Sequence, residues 1–332
     1  MAPSRDAMMD ASPSLPTALP GGRALGAHLP MADGMVRAVD RIADVGGSAL
    51  QIFTDNPTAW RRRADPPAEQ PAFRARLVER SVGPVAIHAP YLVNLAGPEE
   101  ELYARSVDLL ASEVAVAPGF CARFVNIHIG SHRGAGREKG IVRLAEGIDL
   151  ALSRVPPHPT APLVVLENSA GGGFAVGVTV EDLAEIAEAL EARGLGRDRV
   201  AFCLDTAHLW GAGYAIADPD GVDDLLARVT SLLGPGSVAM VHLNDSKAER
   251  GSRFDRHEHL GAGRIGAHGL HRFLNHPDLA GVPHYLETPG MDEGHDAMNV
   301  RNALRIAAGM PMEPVPPEAL KARGSAGLTA PD

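Results

Sequence analysis

Nine side chains of metal-ligand type lie in short patches between positions 88 and 287: His88, His128, Glu167, Asp205, His208, His242, Asp255, His257 and Glu287. Five are imidazoles and four are carboxylates, a donor set that suits zinc or manganese and excludes a thiolate site. His88, His128, Glu167, Asp205, His242 and Glu287 each close a short apolar run that reads as a β-strand. Asp205 and His208 stand three apart, which puts both on one side of a helical turn. Asp255 and His257 stand two apart on an extended loop and point the same way. One catalytic zinc takes three protein ligands. Nine ligands, some of them bridging, therefore fit two or three ions. Such a cluster lowers the pKa of a bound water, polarises a phosphoryl oxygen and stabilises a departing oxygen. Phosphodiester hydrolysis uses all three effects.

These residues need elements to position them. Strands are expected at 24–28, 49–53, 84–88, 124–128, 163–167, 200–205, 237–243 and 284–287, each a short apolar run as in parallel strands buried on both faces. Between them run amphipathic helical segments over 100–117, 142–152, 180–192 and 223–233, with another striped by Met35, Val36, Val39, Ile42 and Ala43. Gly46-Gly47 and Gly194 are helix stops. Eight strands alternating with helices predict a (β/α)8 TIM barrel, in which strand C-termini carry the active site. A doubly wound open sheet is the competing fold, but the first strand runs into G-A-H-L-P and lacks that fold's glycine-rich phosphate loop. One barrel domain is expected over 23–310, with disordered tails over 1–22 and 311–332. About 22 residues without a helical or strand pattern follow Leu243, a length that marks a functional loop.

Composition narrows the rest. The 332 residues carry a formal net charge of −10, which by itself speaks against nucleic-acid binding. Bound divalent ions would reverse the sign locally, and the local field decides whether a phosphate binds. Two cysteines, Cys121 and Cys203, in apolar runs read as free buried thiols. No secretory signal or membrane-spanning run is legible, so a cytoplasmic protein is expected; a monomer is expected as well. Aromatic residues make up 4% of the chain, which suggests little base stacking.

The chain resembles the endonuclease IV family of apurinic/apyrimidinic endonucleases. The resemblance rests on G-A-H at 26–28, I-F-T-D-N-P at 52–57, Y-L-V-N-L-A-G-P at 91–98, N-I-H-I-G-S-H at 126–132, L-E-N-S-A-G-G-G at 166–173 and C-L-D-T-A-H at 203–208. It continues through G-A-G-Y at 211–214, H-L-N-D-S-K at 242–247, G-S-R-F-D-R-H at 251–257, L-G-A-G-R-I-G at 260–266 and L-E-T at 286–288. It implies three zinc ions, with manganese possible at one or more sites. His88, His128 and Glu167 would hold the first. Glu167 would bridge to a second held by Asp205, His242 and Glu287, and His208, Asp255 and His257 would hold the third. The implied reaction is attack of hydroxide on the phosphorus 5′ to an abasic site in double-stranded DNA, with Glu167, Asp205 and Glu287 at the reacting centre. It leaves a 3′-hydroxyl and a 5′-deoxyribose phosphate. Tyr91 and Leu92 match a loop that such enzymes push into DNA, and Lys247, Arg253 and Arg256 are candidates for DNA phosphates. Where the family's second loop commonly carries an arginine this chain has Thr58, and Arg61, Arg62 and Arg63 are the nearby substitutes. A sugar isomerase or epimerase on a related barrel is the competing activity. It needs one or two ions and no counterpart of Asp255 and His257.

Overall fold

The computed structural model describes residues 15–290 and 293–321. Eight parallel strands close into a barrel: β1 (Leu25–His28), β2 (Ala49–Ile52), β3 (Val85–His88), β4 (Ala122–His128), β5 (Leu163–Glu167), β6 (Val200–Asp205), β7 (Val238–His242) and β10 (His284–Leu286). β10 closes the ring by pairing with both β7 and β1. The expected strands recur within about two residues of their predicted ends, and the TIM barrel is the observed fold. Helices α1 (Met35–Asp44), α2 (Gln70–Glu79), α3 (Glu100–Val116), α4 (Arg137–Ser153) and α5 (Val180–Glu191) each follow one strand. α6 (Thr206–Ala212) and α7 (Pro219–Leu233) share the connection after β6, α8 (Gly266–Asn275) precedes β10, and α9 (Asp296–Ala307) follows it.

Local chemistry sets the boundaries. Thr179 caps α5 by accepting from Asp182 N at 3.1 Å, and the Asp182 carboxylate accepts in return from Thr179 N at 3.2 Å. Such a reciprocal box satisfies two amides that the first helical turn leaves unpaired. α1 ends at Gly46, whose φ of 90° is the left-handed conformation that only glycine adopts freely.

Strand side chains alternate between two cores. Outward residues such as Leu50, Ile87, Val125, Leu166 and Leu204 join the layer beneath the helices. Inward residues Ala49, Ala86, Phe124, Val165, Cys203, Met240 and Tyr285 form a separate apolar plug inside the barrel. One step further along each strand the inward residue is polar, so the plug is the floor on which the candidate ligands stand. Both cysteines are free, as expected, but only Cys203 is buried; Cys121 is exposed because it occupies the turn just before β4 rather than the strand itself.

The loop after β7 departs from expectation. It folds back as an antiparallel pair, β8 (Asp245–Ser246) with β9 (His257–Glu258). The buried Asp245 carboxylate organises it by accepting from the amides of Ser246 at 2.8 Å, Gly261 at 2.9 Å, Gly263 at 3.1 Å and Ile265 at 2.9 Å. The tail boundaries also move outward. Leu19 and Ala319 are buried. Glu313 pairs with Arg301 at 2.9 Å, and His259 Nε2 lies 2.9 Å from the Ala319 carbonyl. Apolar burial and these polar contacts hold 15–22 and 311–321 on the barrel. The remaining parts of the expected tails, 1–14 and 322–332, lie outside the described residues.

Close approach of β1 to β2 requires glycine at 26, because a Cβ there would lie 2.3 Å from the Ala49 carbonyl oxygen. Gly26→Ala should cost about 1–3 kcal/mol by overpacking. Urea unfolding checks this, and an unchanged midpoint would contradict the tight strand contact.

Candidate metal centre

The polar layer above the plug collects every predicted ligand. His88, His128, Glu167, Asp205 and His242 are the last residues of β3, β4, β5, β6 and β7, and Glu287 directly follows β10. Parallel pairing sets His128 beside Glu167 and Asp205 beside His242. His208 enters from the first turn of α6, which Asp205 caps by accepting from His208 N at 2.8 Å. The β8–β9 hairpin folds His257 and Asp255 over the rim.

Potential donor atoms fall into three groups whose members lie within 4.8 Å of one another: His88, His128 and Glu167; Glu167, Asp205, His242 and Glu287; and Asp205, His208 and His257. Glu167 is common to the first two, as expected. Asp205 is common to the last two, a shared donor that spacing did not reveal. Asp255 completes the third group: its oxygens lie 3.2 Å from His208 Nε2 and 3.1 Å from His257 Nε2. Glu167 Oε1, His242 Nδ1, Asp255 Oδ1 and His257 Nε2 are buried and make no well-aligned hydrogen bond, facing other members of the cluster only as ion pairs at 3.1–3.3 Å. Four such atoms in one cluster of nitrogen and oxygen donors fit divalent cations.

Residues outside the predicted set orient the ligands. Histidines that hold metals commonly fix their second nitrogen on an acceptor. His88 Nδ1 lies 2.7 Å from the Ala89 carbonyl, His208 Nδ1 2.9 Å from that of Asn168, and His257 Nδ1 2.9 Å from that of Glu287. His242 Nε2 lies 2.9 Å from Gln51 Oε1, and the same Gln51 amide donates to Glu287 Oε1 at 2.7 Å. Asn126 donates to Glu167 at 2.6 Å and Asn244 to Asp205 at 2.8 Å. His28 Nδ1 lies 3.5 Å from Glu287 Oε1. Gln51, Asn126 and His28 were legible in principle: each is a polar residue at an inward register position in an otherwise apolar strand.

The electrostatics are those of carboxylates caged by imidazoles. Burial alone would raise Glu167, but His242 and His128 beside it bring its pKa well below the ordinary value. Burial likewise opposes, and His208 and His257 overcome, a strong lowering of Asp255. Burial would lower His257, yet Asp255 and Asp205 push it up to about 10. His208 rises well above its ordinary value against burial, through Asp205 and Asp255.

The predicted DNA contacts sit around this cluster. The Tyr91 ring lies 5.5 Å from that of His88 and 5.9 Å from that of His128, half-buried at the rim, and Leu92 packs on the core. Lys247, Arg253 and Arg256 are exposed on the hairpin, with Lys247 3.6 Å from Glu258. The arginines after Trp60 are less available than the sequence suggested. Arg62 is held 3.2 Å from the buried Glu113, and Arg63 3.4 Å from Asp55. Thr58 is exposed, and its hydroxyl donates to Asn56 at 2.8 Å.

Protonation makes the metal-free protein testable. The raised histidines stabilise the fold fully below their unfolded pKa of about 6.5, and that contribution is lost as pH rises through about 10 for His257. The depressed carboxylates stabilise above about 4, and their contribution is lost as pH falls through their lowered values. Burial holds His28, His128 and His284 below their ordinary values, so their contribution is lost as pH falls below about 6.5, and chelator-stripped protein should melt highest near pH 6.5. The melting gain on adding zinc should grow from about pH 6.5 to about 9, because bound metal requires bare imidazole nitrogens. Thermal melts across pH check both, and a zinc gain that shrinks with rising pH would contradict the assignment.

Comparison with known proteins agrees with this geometry. Residues 39–309 match the family model described as Xylose isomerase-like TIM barrel. The chain is 36% identical over 283 residues to the probable endonuclease 4 of Methanoculleus marisnigri, covering 85% of this chain and 98% of that protein. It is 35% identical over 284 residues to the probable endonuclease 4 of Thermotoga maritima, covering 85% and 96%. The crystal structure of endonuclease IV from Thermus thermophilus superposes with a TM-score of 0.73 at 37% identity, covering 85% of this chain and 98% of that one. A D-tagatose 3-epimerase-like protein, 16% identical with a TM-score of 0.59, shares the fold alone. Matched over most of its length to these endonucleases, the chain belongs to the endonuclease IV family.

Proposed function

We propose that this protein is a DNA-repair endonuclease that hydrolyses the phosphodiester 5′ to abasic sites in double-stranded DNA, leaving a 3′-hydroxyl and a 5′-deoxyribose phosphate. The observation that carries the reading is the contiguity of the three donor groups, joined through Glu167 and Asp205. His88, His128 and Glu167 would hold one ion, Glu167, Asp205, His242 and Glu287 the second, and His208, Asp255 and His257 the third. All three are taken as zinc, with manganese acceptable at one or more. Divalent ions held there would supply a nucleophilic water near neutral pH and would neutralise charge on the phosphoryl group.

The chain's own residues do the positioning. Gln51, Asn126 and Asn244 orient the Glu287, Glu167 and Asp205 carboxylates before any substrate arrives. The cluster is open where the side chains of His128 and Asp255 are 39% and 35% exposed, and this edge is where a phosphate would enter. Tyr91 and Leu92 border the first group and would fill the gap left by a missing base. Lys247, Arg253 and Arg256 border the third and would hold the DNA backbone, making contacts that position without reading sequence. A sugar isomerase would have no use for the hairpin that brings Asp255 and His257 over the mouth. We take the enzyme to act as a cytoplasmic monomer; among the described residues no helix is long and apolar enough to cross a membrane.

Purified protein is expected to nick a duplex with a tetrahydrofuran abasic analogue without added magnesium, and to carry about three zinc ions per chain by elemental analysis. Fully metallated protein that leaves the duplex intact but isomerises a sugar would overturn the assignment. His257→Ala should lose one ion and at least about 100-fold in kcat while keeping its circular dichroism spectrum. Loss of the fold in that variant would instead make the hairpin structural.

A further inference from the structure

Two phenylalanines are exposed in an unusual place. Large apolar side chains exposed on the outer helices are aliphatic: Val78, Val116, Val142, Leu150 and Leu232. Phe174 and Phe254, 56% and 63% exposed, lie instead on loops at the C-terminal face of the strands, the face that carries the metal-type residues. Phe254 immediately precedes Asp255 of the third donor group.

Both loops are pinned. Phe174 sits in a backbone pairing between the loops after β4 and β5: Ser131 bridges Ala175, His132 N donates to Phe174 O at 3.0 Å, and Val176 N donates to Gly130 O at 2.9 Å. The Phe174 ring rests 5.2 Å from the His132 ring, with its other surface open. Beside Phe254, Arg253 N donates to Gly211 O and Gly251 N to Trp210 O, both at 3.0 Å. The two loops touch at Arg253. A Cβ on Gly172 would lie 3.0 Å from the Arg253 carbonyl oxygen, and one on Gly171 3.6 Å from Arg253 Cγ. Those glycines let the loops close on each other. Arg253 has φ 64°, a left-handed conformation that costs a non-glycine residue energy and persists only where its surroundings enforce it. Among the described residues no carboxylate pairs with its guanidinium. Arg253 and Phe254 thus stand side by side next to Asp255 of the third donor group, against the loop that carries Phe174.

A rigid exposed ring beside a free cation is what binds an unstacked nucleobase next to its phosphate: stacking is tolerant of sequence, and the cation holds the backbone. We propose that Phe174 and Phe254 form a stacking ledge for a nucleobase displaced from the helix beside the abasic site. The low aromatic content suggested little base stacking, but two rings suffice when both are at the rim. The ledge supplies the grip on unpaired DNA that the second loop lacks, where Thr58 is tied to Asn56 and Arg62 to Glu113. The proposal rests on the endonuclease reading.

The test uses the zinc-loaded full chain and a tetrahydrofuran duplex with 2-aminopurine next to the lesion. Phe254→Ala and Phe174→Ala should each raise KM roughly tenfold, the loss expected for one stacked base, with a much smaller change in kcat. Both should lose the change in 2-aminopurine emission that the unaltered protein produces on binding. Phe254→Trp should restore it and Phe254→Leu should not, because leucine keeps bulk without a π face. Leu232→Ala, on the outer surface of α7, serves as control. Alanine variants with unaltered KM and emission, or a leucine variant that matches phenylalanine, would overturn the ledge while leaving the nuclease assignment standing. Unaltered protein that fails to nick the duplex would overturn both.

Discussion

The structure depends on one buried carboxylate. Glu167 is 1% exposed on the inner face of β5, and its oxygens lie 3.1 Å from His208 Nδ1, 3.3 Å from His242 Nδ1, and 3.7 Å from both His88 Nε2 and His128 Nε2. An isolated carboxylate there would be prohibitively costly. Protonated imidazoles can neutralise it in the bare protein and divalent ions in the loaded one, and the geometry serves both. The barrel supplies this because consecutive parallel strands bring residues from four connections to one point, while the apolar plug below prevents water from screening their fields.

Rigidity beyond the donor atoms comes from amides rather than charges. Gln51 uses both ends of one side chain to set His242 and Glu287, and Asn244 joins Asp205 to the backbone amide of Glu287 at 2.9 Å. Neutral donors and acceptors can do this without altering the charge balance that a phosphate must meet. A lysine at position 51 would also reach Glu287, but it would add a fixed cation that competes with metal.

What the sequence revealed follows from this division of labour. Short apolar runs ending in a histidine or acid were legible as strands because burial on both faces leaves polar residues only where function requires them. All nine predicted donors converge. The hairpin around His257 was not legible, since its order comes from one carboxylate, Asp245, gathering amides up to twenty-one positions away, which no local pattern announces. Asp205 as a shared donor was missed because i, i+3 spacing says that two side chains share a side, not what their oxygens reach. Arg62 read as an available cation until Glu113, fifty-one positions on, claimed it. Leu19 and Ala319 read as tail because proline-rich flanks hide single apolar anchors.

The net charge shows how composition misleads about partners. A chain at −10 is repelled from DNA at long range. Screening limits that repulsion to about 8 Å at physiological ionic strength, so it slows encounter more than it weakens a docked complex. Many of the acidic residues are paired on the outer helices, as with Asp40 and Arg76, Asp182 and Arg137, or Glu146 and Arg193. Each such pair leaves little local field. Arg253 and Arg256 stand on the hairpin without a carboxylate partner among the described residues, and the cations that the donor set fits would add to them. An acidic protein can therefore present a positive mouth, and its affinity for DNA should be set by the few square nanometres around the β8–β9 hairpin.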